Sequence, residues 1–168
     1  MAVTAAPPTY RVQGSDFALT RYAGTPSAAP LASADSWGSL DLQVVAGGGG
    51  GLRLSGPVQD LGTVTGRENL AQALTLRLLT AQGALEPLGH PDFGSRLVSL
   101  IGGSNNQATR NLARLYVIEA VRQEHRVQAL TALSVVPVPA QPDTLQVALT
   151  VKPANDADPL SLTLDVTL

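Results

Sequence analysis

The residues of this 168-residue chain whose types and spacing could do chemistry are few. Glycoside cleavage needs only two carboxylates about 5 to 9.5 Å apart, and Glu68, Glu86, Asp92, Glu119 and Glu124 are the candidates. Each has a plainer use: Glu68 completes a helix cap, and Glu119 sits on a helix face near Arg122 and Gln123. Aromatic platforms for stacking sugars are scarce at 4 % of the chain. Neither His90 nor His125 has a second ligand at i+3 or i+4, the spacing of a helical metal site. The glycine run Gly47 to Gly51 is not followed by the Gly-Lys-Ser/Thr of a phosphate-cradling loop. There is no Gly-x-Ser-x-Gly elbow to present a serine nucleophile. Cys is absent, which removes thiolate nucleophiles, thiolate zinc sites and disulfides together. The chain reads as non-enzymatic, with no cofactor and no metal.

Charge points the same way. A net charge of -2 with 14 % charged residues gives no basic field to attract phosphate backbones, so nucleic acid is not an expected partner. No apolar run approaches the roughly 20 residues that span a bilayer, and Met1 to Tyr10 has no basic stretch followed by an apolar one. A soluble, cytosolic protein is the expectation. One charged cluster stands at an element boundary: Glu124, His125 and Arg126. Local physics alone favours a basic helix end that complements the dipole; a paired hook for a partner protein is the alternative.

The elements that must position these residues follow from periodicity. Residues 1–36, rich in Ala, Pro, Ser, Thr and Gly, form an extended or flexible N-terminal arm in which Phe17, Leu19 and Tyr22 are apolar enough to dock. Residues 37–168 form a single α+β domain. Leu40, Leu42 and Val44 alternate as a strand, and Leu52 and Leu54 resume beyond the glycines, giving a hairpin with a floppy tip. Thr65 caps a first helix with Glu68 reaching back, and Leu70, Ala73, Leu74 and Leu78 make its stripe. Gly83 ends that helix. After Pro87, Gly89, His90 and Pro91 a short second helix places Phe93, Leu97, Leu100 and Ile101 on one face. Ser104, Asn105 or Asn106 caps a third, running to about Gln123 with Leu112, Leu115, Tyr116 and Ile118 inward. Val127 to Val138 is strand-like. Leu145, Val147, Leu149 and Val151 then alternate, as do Leu160, Leu162, Leu164, Val166 and Leu168. A three-helix core followed by an antiparallel β-meander is the expected fold.

Four segments carry a resemblance: "VTGRENLAQALTLRLLTAQGAL" (Val64–Leu85), "GHPDFGSRL" (Gly89–Leu97), "IGG" (Ile101–Gly103) and "YVIEAVRQEHRV" (Tyr116–Val127). In these, over roughly Leu61 to Leu168, the chain resembles the baseplate wedge and sheath-initiator family of contractile phage tails, whose relatives serve contractile injection systems and type VI secretion. Thr65, Glu68, Asn69, Gln72, His90, Pro91, Gly94 and Arg96 are its structural positions here. The family's Glu-Pro-Arg after the last helix corresponds to Glu124, His125 and Arg126, without the proline. The resemblance implies a structural baseplate component, assembled in the cytoplasm. It implies as partners the wedge proteins, the sheath subunits and the inner tube or hub proteins, with six copies around the tail axis. It makes Glu124, His125 and Arg126 the hook for a neighbour. It makes the sheet from Leu145, Val147 and Leu149 to Leu160, Leu162 and Leu164 the template on which sheath arms add strands. The competing expectations are a lysozyme-like glycoside hydrolase of a tail and a binding adaptor unrelated to tails.

Overall fold

Phe17 and Leu19, the apolar residues of the N-terminal stretch, belong to a short strand and the residues just after it. The computed structural model describes residues 14–19, 44–46, 59–139, 141–154, 156 and 158–168, which divide into two units, Met1–Gln72 and Ala73–Leu168. Among the described residues of the first unit, four short strands come in order: β1 (Ser15–Phe17), β2 (Val44–Ala46), β3 (Gln59–Leu61) and β4 (Thr63–Thr65). β1 pairs antiparallel with β4, and β2 with β3. The side chain of Gln72 extends the first pairing like one more strand residue. Its amide nitrogen donates to the Phe17 carbonyl at 2.8 Å and its Oε1 accepts from the Leu19 N–H at 2.9 Å. Of the expected hairpin, Leu40, Leu42, Gly47 to Gly51, Leu52 and Leu54 lie outside the described residues, as does Tyr22.

Helix α1 (Gly66–Leu79) opens on Gly66 at φ 62, a left-handed conformation that costs glycine little. Its leucine stripe is as the spacing predicts: Leu70, Leu74 and Leu78 are almost wholly buried. The helix stops at Leu79, not Gly83. Thr80 turns its hydroxyl back onto the Leu76 carbonyl (2.7 Å), and its own carbonyl accepts from the Ser95 N–H at 2.8 Å.

Among the described residues there are two α-helices, not three. Between them the chain forms only 3-10 turns, Glu86–Leu88 and Arg96–Leu100. Gly94 sits at φ 109 and Ser95 is extended, so helical geometry cannot begin before Arg96, and Ile101 is again extended. One turn is too short to repay α-helix nucleation. Leu97 is the buried residue of this turn, while Ile101, expected on the same inner face, is half exposed. The loop closes as residues 81 and 95 bridge in parallel, with Gln82 N–H donating to the Ser95 carbonyl and Gly83 N–H to that of Phe93.

Helix α2 (Gln107–Arg122) is capped by Asn106, whose Oδ1 accepts from the Thr109 N–H at 2.9 Å. Its inward face is Ala113, Val117, Ala120 and Val121; Leu112 and Leu115, expected inside, are exposed. Small residues face inward here, which lets α2 lie close to the sheet, and the two leucines are rotated outward. The sheet itself follows the predicted meander: β5 (Val127–Val138), β6 (Gln141–Pro153) and β7 (Leu160–Thr167), in the order β5-β6-β7, all antiparallel. Val135, Leu145, Val147, Leu149, Val151, Leu164 and Val166 are among its buried side chains.

Candidate interaction site

Where α2 gives way to β5, the Glu124 N–H donates to the Val121 carbonyl and the Val127 N–H to that of Glu124, so the four residues Gln123 to Arg126 turn the chain from helix to strand. This turn buries the Glu124 carboxylate, 4 % exposed, and leaves His125 88 % exposed. Arg126 grips the carboxylate with two donors, Nε to Oε1 at 2.7 Å and Nη2 to Oε2 at 3.1 Å, the fork geometry that makes such pairs strong. Arg77 of α1 stands 3.7 Å away and lies over the Phe93 ring, 4.7 Å from its centroid. Burial is the largest single influence on Glu124 and opposes its ionisation. The hydrogen bonds and charge of Arg126, with the charge of Arg77, outweigh it and hold the pKa below the usual glutamate value.

Glu124 and Arg126 therefore satisfy each other within the chain and latch the end of α2 to the start of β5. What this boundary presents outward is His125 and the remaining 16 % of Arg126. A second ion pair lies on the surface: Arg96 donates to both oxygens of Glu119 (2.8 and 3.1 Å) and stacks on Tyr116, 4.3 Å from its ring centroid. The motif residue Gly94 has a steric reason to be glycine. A Cβ there would stand 2.6 Å from the Ala81 carbonyl oxygen. Asn69 and Gln72 are buried, Thr65 ends β4 exposed, Glu68 is exposed in the first turn of α1, and His90 and Pro91 are exposed in the loop.

In the sheet, β6 is central and both its edges are taken. Leu145, Val147 and Leu149 point into the core at 2 % exposure or less, and Leu164 joins them, while Leu160 and Leu162 are half-buried. The Leu168 N–H donates to the Asp143 carbonyl, which sets the phase of the β6–β7 ladder. Leu160, Leu162, Leu164 and Val166 bond inward to β6, so the N–H and C=O groups of Ser161, Thr163, Asp165 and Thr167 point away from the sheet. None of the described residues pairs with them.

This arrangement of two helices and a three-stranded antiparallel sheet has a counterpart among solved structures. It is similar to a Geobacter sulfurreducens protein provisionally described as a tail lysozyme. The likeness covers 60 % of this chain and 89 % of that one at a TM-score of 0.52 and 24 % identity, and it concerns the fold alone. No protein-family model matches the chain, and no curated protein sequence does.

Among the described residues no group of three or more His, Asp or Glu side chains is placed to hold a metal, and no helix is long and apolar enough to cross a membrane. Sequence reasoning missed Arg77 as an organiser, and it named Gln72 only as a structural position of the resemblance, without the two bonds that Gln72 makes to Phe17 and Leu19.

Proposed function

We propose that the chain is a non-catalytic structural component of a contractile tail or injection system, held in a baseplate by wedge proteins and accepting extended strands from sheath subunits on β7. Inner tube or hub proteins are further neighbours in this reading, and six copies surround the tail axis. The observation that carries it is the outer edge of β7, where Ser161, Thr163, Asp165 and Thr167 offer unpaired donors and acceptors at every second residue. An added strand would satisfy them while continuing the apolar inner face past Leu160 and Leu162. The segment resemblance to sheath initiators and the fold likeness to a protein described as a tail component support the setting. His125, with the exposed part of Arg126, is the contact proposed for a wedge protein.

The alternative is the hydrolase that the Geobacter sulfurreducens protein's description names. The carboxylates best defined in geometry argue for the structural reading. Glu119 is tied to Arg96, and Glu124 is held ionised where a general acid needs a raised pKa. The test is to purify particles through the tagged full-length chain and identify what travels with it. Sheath and baseplate proteins should co-purify with the wild type, and sheath should be lost from Thr163→Pro. Peptidoglycan clearance by the purified protein, abolished by Glu119→Gln, would replace this reading with the enzymatic one.

A further inference from the structure

The two edges of the sheet are built differently. Odd-numbered residues of β6 bond to β7, so its even-numbered ones bond to β5, pairing Thr150 with Ala132, Ala148 with Ser134 and Gln146 with Val136. The outward main-chain groups of β5 over this stretch therefore belong to Leu133, Val135 and Pro137. The Val135 carbonyl is already engaged, accepting from Arg114 Nη2 at 3.3 Å, and that guanidinium is steadied on α2 by Asn111 at 3.4 Å. Pro137 has no N–H to offer. The register of β5 also shifts toward both its ends. β7 has no proline, and none of the described side chains bonds its outward carbonyls.

We propose that Arg114 and Pro137 are guards that close the β5 edge, so that the sheet takes a strand on one side only. An unpaired edge is a template for any extended chain, and charged residues are a usual defence. β5 has no charged residue between Val127 and Val138, so its protection has to come from elsewhere. Arg114 supplies it from the neighbouring helix, and Pro137 deletes a donor where a visiting strand would need one. Two consecutive outward positions thus each lack a partner group, and the alternating exchange of an antiparallel pair cannot run through them. The purpose of this one-sidedness rests on the proposed strand-acceptor role; the guard itself does not.

The test is the full-length double variant R114A/P137T, followed by sedimentation equilibrium and by amide exchange at Leu133 and Val135. Each copy regains an acceptor and a donor, so two-fold pairing of β5 with β5 should tighten self-association by about tenfold or more over wild type. Protection of Leu133 and Val135 should rise with protein concentration. Arg114→Lys, which keeps a donor, should behave as wild type. A double variant with wild-type circular dichroism and wild-type mass at every concentration overturns the proposal. So does concentration-dependent protection of those amides in the wild type. Should the double variant not fold, Pro137→Thr alone decides, an unchanged association constant counting against the guard. Thr163→Pro reads the β7 edge separately, so the acceptor role and the guard can fail independently.

Discussion

Removing the Arg126 guanidinium would leave the Glu124 carboxylate buried with Arg77 at 3.7 Å and no fork of donors. Breaking a buried pair from one side costs far more than replacing both partners, so Arg126→Ala should lower stability by roughly 3 kcal/mol in urea unfolding. Glu124→Gln/Arg126→Gln should recover much of that loss; equal losses in the two variants would mean that the latch does not act as a pair. The pKa of Glu124 gives a second expectation. Because it is lower in the folded than in the unfolded chain, its stabilisation is complete above roughly pH 4 and disappears as pH falls through the folded value. The wild-type urea midpoint should therefore fall on acidification across that window. Glu124→Gln should flatten the fall, and an unchanged slope would assign the pH dependence to other carboxylates. Charge reversal at Arg126 is accordingly a test of folding before it is a test of partner binding.

Among the elements, the caps and the short loops decide most. Asn106→Ala removes the acceptor for the Thr109 N–H and should cost about 1 kcal/mol, read as a lowered thermal midpoint. Gly94→Ala combines a strained φ with a clash against the Ala81 carbonyl and should cost roughly 2 kcal/mol; a wild-type midpoint would show that the 80–95 loop can open without loss. The leucine stripe of α1, the Asn cap of α2 and the three long strands were readable because each rests on local periodicity or a local hydrogen bond. The short second helix was not, since an apolar spacing of three or four says nothing about whether a glycine at φ 109 precedes it. Helical spacing predicts Leu112 and Leu115 inward, beside Tyr116 and Ile118. The packing instead turns Ala113, Val117 and Ala120 toward the sheet, where small side chains permit close approach.

For the molecule as a whole, the outward N–H of Thr163 and the inward one of Leu162 make a matched pair of experiments. Thr163→Pro deletes a group that β6 does not use and should fold with wild-type circular dichroism while losing sheath in purified particles. Leu162→Pro removes a ladder donor to Leu149 and should lower the urea midpoint by about 1 to 3 kcal/mol of stability. If both variants retained sheath at wild-type levels, strand addition at β7 would be wrong.

The sequence by itself determined the two α-helices, the three long strands that follow them, most of the sheet's inner residues and the shortage of reactive groups. All of these depend on period, composition or nearest neighbours along the chain. The tertiary structure alone decided what those residues face. It pairs Glu124 with Arg126 across the end of α2 and leaves His125 on the surface. It made Leu145, Val147 and Leu149 core residues of a central strand, because a strand's two faces and two edges are distinguished only once its neighbours are in place. It also brought Arg114 of α2 onto the Val135 carbonyl, a contact between residues 21 apart that separates one edge of the sheet from the other.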